Sequence, residues 1–332
     1  MLNSYVKTPT RHRPRILSLV TLLVILFLLR SGSTAPIASA SGSTETASLA
    51  SLDSVEEYLA VKDKAPAAPI YAKSYILMDG ETGDILVNRN GDLSIPIAST
   101  TKMITALTAV ENLKLDDVTT TTAFPTRIEG SKVNLLTDEK ITVLNLLKAL
   151  LINSGNDSAF AIAEAYSGKT GDYQTFVKKM NEFVAKNGLK NTVLSDPAGL
   201  DDEKGRSTPR ELAHIARILL KNEALSKIVS TPQEVVTSVN GQQRHELKNT
   251  NRLIQSDTPY YMPNALGVKT GFTHEAGHSL VAAYRLGDRL LIGVVMNTAE
   301  YTNTASAAEM KKLFLWAEQN LAKKKYLELA VP

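Results

Sequence analysis

Runs of β-type sequence sit at the two ends of this 332-residue chain, and a long series of helical segments separates them. At the first end SYILMD and ILVNRN flank GETGD, two short strands around a glycine-containing turn. From Ser99 to about Leu225 apolar residues recur at three- and four-residue intervals in STTKMITALTAVENL, TVLNLLKALLIN, NDSAFAIAEAYSG, YQTFVKKMNEFVAKNG and TPRELAHIARILLKN, with Asn187-Gly188 as a stop. After Ser230 the texture turns extended again in EVVTSVN, ALGVKTGF and HSLVAAYRLGDRLLIGVVMN, the last with a Gly-Asp turn between two β-rich runs. An amphipathic helix, AAEMKKLFLWAEQNLAKKK, closes the pattern. This order predicts one α+β domain, its sheet joining the two ends of the chain around a helical insert.

Ahead of the domain the chain reads differently. A basic stretch through Arg15, an apolar run from Ile16 to Leu29 and small residues ending at Ala38-Ser39-Ala40 have the three-part build of an export signal. As a helix the run would reach about 21 Å, short of the roughly 30 Å hydrocarbon core, so a cleaved signal is favoured over a permanent anchor. Residues 41–70, rich in Ser, Thr, Ala and Pro, read as a disordered linker. The expected organisation is a signal or anchor over 1–40, the linker over 41–70 and a folded domain over 71–326, working outside the cytoplasm.

Charge and cysteine content narrow the chemistry. Five of the 37 bases and none of the 34 acids fall within residues 1–40, so the net charge of +3 belongs to the leader and the rest is slightly acidic. Nothing there suggests a nucleic-acid surface. The absence of cysteine excludes disulfides, thiol catalysis and cysteine-ligated metal.

Three short motifs can carry chemistry. In Ser99-Thr100-Thr101-Lys102 the hydroxyl and the amine lie three residues apart at a helix start, on one face, and so can meet as nucleophile and base. Lys102 is the only charge from Ser99 to Val110, and a helix so apolar on all sides is buried; burial disfavours the charged lysine and prepares it to accept a proton. The same residues alone would also suit a helix-capping serine followed by a surface lysine. Ser154-Gly155-Asn156 falls between two apolar helices. It can present a hydroxyl beside a carboxamide, or simply stop one helix and cap the next. Lys269-Thr270-Gly271 ends an extended run, where ammonium and hydroxyl can fix a carboxylate while the glycine lets a substrate backbone approach.

Together the three form an ordered set, SxxK, SxN and KTG, and here the chain resembles the D-alanyl-D-alanine carboxypeptidase family of low-molecular-mass penicillin-binding proteins. The resemblance runs over nearly all of Ala72 to Trp316 and includes PIASTTKMITAL, LLINSGNDSAFAIAE, NGLKNTVLSDPAGLDD, STPRELAHIARILL and VKTGFTHEAGHSLVAA. It implies a β-lactamase/transpeptidase-like α+β fold, a mainly antiparallel sheet flanked by helices plus a helical subdomain. It also implies a serine D,D-carboxypeptidase acting on peptidoglycan stem peptides and acylated by β-lactams, without a cofactor. Ser99 would be the nucleophile and Lys102 its base; Ser154 would pass a proton to the leaving amine and Asn156 would position Lys102 and the substrate amide. Lys269 and Thr270 would hold the terminal carboxylate, Lys269 would help keep Lys102 neutral, and the N–H groups of Ser99 and Phe272 would receive the oxyanion. A D,D-endopeptidase is the sibling expectation, ahead of a β-lactamase or a non-catalytic wall-binding protein.

Two departures from the family pattern stand out. Familiar members continue into a second, all-β domain and an amphipathic membrane helix, whereas this sequence ends about 16 residues after Trp316, so any membrane attachment is expected from the leader. Some members also place an arginine ahead of the KKLxxW stretch, and NTASAAEMKKL has none, which leaves the carboxylate to Lys269 and Thr270. His274-Glu275-Ala276-Gly277-His278 matches H-E-x-x-H, but that zinc motif works on a helix and here reads as a turn between strands, so no metal is expected. His214 and His245 are expected at an exposed helix position and a strand position, neither of them catalytic.

Overall fold

The computed structural model of the chain describes residues 69–201, 204–241, 243–298 and 302–321, all of them within one compact unit. The expected signal over 1–40, nearly all of the linker and the last residues of the 71–326 domain lie outside the described residues. Ile70 is already buried in the core, so the packed region includes the last linker residue.

Strand β1 (Ala72–Asp79) turns into β2 (Ile85–Arg89), the hairpin expected from the sequence. The short β3 (Ile95–Pro96) leads to a 3-10 turn at Ala98–Thr101 and then to helix α1 (Lys102–Asn112). The insert continues with β4 (Val118–Thr120), the single-turn α2 (Ala123–Thr126), β5 (Lys140–Thr142), α3 (Val143–Ile152), α4 (Asn156–Ser167) and α5 (Gln174–Lys186). After β6 (Arg206–Ser207) come α6 (Pro209–Lys221), α7 (Glu223–Val229) and the hairpin of β7 (Gln233–Thr237) with β8 (Arg244–Lys248). Strands β9 (Ala265–Gly271), β10 (Ser279–Leu286) and β11 (Arg289–Thr298) and helix α8 (Ala305–Leu321) complete the fold.

The main sheet has five strands in the order β2-β1-β11-β10-β9, every neighbouring pair antiparallel. The first strand and the last two therefore meet in its middle, as the sequence order predicts. Successive side chains of a strand face opposite ways, and both faces of β1 are covered. Tyr75 and Leu77 pack with Met310, Phe314 and Trp316 of α8, whereas Ile76 and Met78 join the larger core of the helical insert. Helix α1 runs through that larger core, with every residue from Lys102 to Ala109 buried. Strand β9 lies at the sheet edge, against the 3-10 turn that begins at Ala98, and the cleft opens there.

Candidate active site

Ser99 sits in the 3-10 turn that feeds α1, and residues three apart are eclipsed in such a turn. Its Oγ accordingly lies 2.8 Å from Lys102 Nζ. The nitrogen has two other partners, Asn156 Oδ1 at 2.7 Å and the Ala198 carbonyl at 2.7 Å. Asn156 cannot turn its oxygen elsewhere, because its Nδ2 donates to the Glu129 carbonyl at 2.7 Å. Two of the three neighbours of Nζ are thus oxygens that can only accept. A neutral amine has two hydrogens to give them, and its lone pair is then left facing the Ser99 hydroxyl.

The electrostatics favour that form. Lys102 is wholly buried, and desolvation lowers its pKa from 10.5 to about 7 against the opposing pull of the Asp196 and Asp157 carboxylates. The sequence reading assigned part of this work to Lys269. Burial is the largest cause in the structure, and Lys269, also buried, is itself pushed well below 10.5 by desolvation and then by the like charge of Lys102.

Lys269 lies on β9 and donates to Ser154 Oγ at 2.9 Å and to the Thr270 carbonyl at 2.9 Å. This joins the second motif to the third. Ser154 holds a left-handed backbone, φ 63°, at the turn between α3 and α4, and Gly155 rather than Asn156 or Asp157 caps α4. Asn156 and Asp157 have other tasks: Asn156 holds the amine, and Asp157 accepts the N–H groups of Val133 and Leu135.

Gly271 has a neighbour the sequence did not suggest. A Cβ there would stand 3.0 Å from the Ile97 carbonyl and 3.3 Å from the Ala98 Cβ, so the glycine lets β9 lie against the turn that carries Ser99. Ala98, directly before Ser99, is itself in the left-handed region at φ 47°. Phe272 is exposed beside the cleft and stacks on His278 with ring centroids 4.1 Å apart; His274 meets its edge. The H-E-x-x-H segment is a turn between β9 and β10, as read.

The cleft has a volume of about 1010 Å³ and is lined by Ser99, Ser154, Thr270 and Phe272. Lys248, Thr250 and Arg252 are among the cleft residues that the sequence motifs do not include. Thr250 Oγ1 lies 2.6 Å from Thr270 Oγ1, which puts two hydroxyls side by side. Asp196 was also missed as a positioning residue. Its carboxylate takes the N–H groups of Ala198, Gly199 and Leu200 at 2.6, 2.8 and 3.0 Å and so curls the loop that points the Ala198 carbonyl at Lys102. His214 is half-buried on α6 rather than exposed, since α6 packs against the sheet. His245 lies on β8 as expected but is buried.

Residues 60–300 match the sequence model of a family described as D-alanyl-D-alanine carboxypeptidase. Among similar proteins, the D-alanyl-D-alanine carboxypeptidase DacF of Bacillus subtilis is 36% identical over 233 residues, 69% of this chain and 58% of the relative. A D-alanyl-D-alanine endopeptidase of Pseudomonas aeruginosa is 32% identical over 248 residues, 74% of this chain and 76% of the relative. The crystal structure of the Streptomyces K15 DD-transpeptidase superposes with a TM-score of 0.69 at 31% identity, covering 75% of this chain and 97% of that one. A D-alanyl-D-alanine carboxypeptidase structure from Mycobacterium tuberculosis gives 0.67 at 30% identity, covering 77% and 96%.

Proposed function

Because the chain belongs to the D-alanyl-D-alanine carboxypeptidase family, we propose that it is an extracytoplasmic serine D,D-carboxypeptidase which removes the terminal D-alanine of peptidoglycan stem peptides. The observation that carries the reading is the desolvated Lys102 amine, with two obligate acceptors and one nucleophilic hydroxyl as its neighbours.

Ser99 Oγ attacks the carbonyl of the penultimate D-alanine as Lys102 takes its proton, and the oxyanion rests on the N–H groups of Ser99 and Phe272. Ser154, hydrogen-bonded to Lys269, relays to the departing amine the proton that Lys102 took from Ser99, which leaves Ser154 a hydroxyl and Lys102 neutral again. The C–N bond breaks, D-alanine leaves, and water attacks the ester with Lys102 again as base, restoring Ser99. Lys269 and the paired hydroxyls of Thr270 and Thr250 receive the terminal carboxylate, and Arg252 on the same cleft supplies the guanidinium missing from α8. β-Lactams present an amide at the same place and acylate Ser99.

The test is D-alanine release from a diacetyl-Lys-D-Ala-D-Ala peptide, together with mass spectrometry of the penicillin-treated protein. Release of D-alanine and an acyl group on Ser99 are expected; neither occurring would end the proposal. Arg252→Ala is expected to raise KM for that peptide about tenfold with kcat within about twofold, the loss of one charge-assisted contact made equally in ground and transition states. The capacious cleft and the endopeptidase relative favour one second reading, cleavage of cross-links. Digestion of a cross-linked muropeptide at a rate matching that of the free pentapeptide would establish it.

A further inference from the structure

We propose that His245, which takes no part in the chemistry above, is a positioning residue: its doubly protonated ring clamps the segment that aims Asn156 at Lys102, and loss of that proton sets the alkaline limit of acylation. The inference rests on the Ser99–Lys102 reading of the site.

The ring is buried on β8 with an oxygen at each nitrogen. Nδ1 lies 2.9 Å from the Val133 carbonyl, and Nε2 lies 2.8 Å from Glu139 Oε1. A carbonyl has no hydrogen to give, so Nδ1 must carry one. Glu139 is wholly buried and its Oε2 accepts the Leu136 N–H at 2.9 Å, so a second proton is needed between Nε2 and Oε1. An imidazolium facing a carboxylate satisfies every group. A neutral ring facing an ionised carboxylate leaves two acceptors opposed in a dry place.

The clamped segment, residues 129–139, belongs to the working part of the site. The Glu129 carbonyl holds Asn156 Nδ2, and the Ser131 carbonyl accepts the Asn156 N–H at 2.7 Å. Gly130 lies so near that a Cβ would stand 2.7 Å from Asn156 Nδ2. Val133 is held on both sides, its carbonyl by His245 and its N–H by Asp157. A line of direct contacts and a few residues of chain therefore runs from the ring to the amine of Lys102.

The groups facing the ring agree in sign. The Glu139 hydrogen bond is the largest influence and, with the Asp157 carboxylate and the Val133 carbonyl, raises the pKa above the ordinary 6.5, against the opposing effect of burial. The clamp is thus complete below pH 6.5 and is lost as pH rises through the raised value. Lys269, which burial pushes well below 10.5, is a second group near the site whose titration the experiment must separate from that of the ring.

We would measure the second-order acylation rate with a fluorescent penicillin across pH for wild type, Glu139→Gln and His245→Gln, and follow the His245 ring by NMR. In wild type the rate should rise through about pH 7 as Lys102 loses its proton, then fall with a midpoint equal to the ring's own. Glu139→Gln keeps an acceptor but removes the charge, so the falling limb should move acidward by about one pH unit while the rising limb stays in place. His245→Gln should lower the rate at neutral pH about tenfold and remove the ring-linked limb. A falling limb unmoved by Glu139→Gln would assign it to Lys269 and overturn the inference, whether or not His245→Gln folds. Wild type that is never acylated would overturn the reading of the site and this inference with it.

Discussion

Ser99→Ala is expected to release D-alanine at a rate about 10⁴-fold or more below wild type, and Lys102→Met, with the serine intact, about 10²- to 10⁴-fold below. The two side chains act as one unit across 2.8 Å, so the double variant should be no slower than Ser99→Ala alone. A further loss in the double variant would show that Lys102 works independently of the serine. The buried amine also leaves a thermodynamic signature. Because its value is about 7 against 10.5, the folded state binds fewer protons than the unfolded state between those limits. Holding the lysine inside costs most below pH 7, and the cost fades as pH rises toward 10.5. Urea denaturation of wild type and Lys102→Met at pH 6.5 and 9.5 should show wild type gaining about 3 kcal/mol relative to the variant at the higher pH. An unchanged difference would mean that Lys102 stays cationic, and the proposed base would be lost.

Gly199→Ala is the second large effect, and its reason is packing. Gly199 has φ +76°, and a Cβ there would stand 1.9 Å from the Ala98 carbonyl oxygen and 2.5 Å from its carbon, both backbone atoms that cannot swing aside. The two segments that would be forced apart are the one preceding Ser99 and the one whose Ala198 carbonyl receives Lys102. A loss of about 4 kcal/mol or more in unfolding free energy is expected, together with loss of penicillin labelling. Gly241→Ala is a control: Gly241 has a similar φ of +68° but nothing within 4 Å of its Cβ position. It should cost about 1 kcal/mol and leave labelling intact. Equal effects in the two variants would refute the close-approach argument.

Much of the site was legible because its chemistry is local. Ser99 and Lys102 meet across one turn, the isolation of Lys102 among apolar residues foretold its burial, and Lys269-Thr270-Gly271 followed a recognisable strand. The hairpins and the principal helices of the insert follow from periodicity, and the turn between β9 and β10 follows from Gly277 within the histidine pair. What could not be read are contacts between distant stretches of irregular chain. The Ala198 carbonyl reaches Lys102 across 96 residues, and His245 reaches Glu139 across 106. A carbonyl acceptor has no residue-type signature, and a lone histidine on a strand looks the same whether or not a carboxylate waits behind it. Asp196 lay in a block noted only for family likeness. Its use becomes clear once its carboxylate is seen gathering three successive N–H groups.

The pairing of β1 with β11 aligns Ala72 with Thr298 and Asp79 with Leu291. During synthesis the first strand is made early, and its central partner arrives only after the whole helical insert has emerged. Closing so long a loop carries an entropic penalty that local helix formation does not offset. The β10–β11 ribbon and the β1–β2 hairpin are each local pairings, whereas joining β1 to β11 is a long-range one, and that step is expected to be the slower. Ser99 lies far ahead of β9 in the sequence, so the turn that carries it can meet that strand only after the chain has been made through β9 and β10 has paired with it.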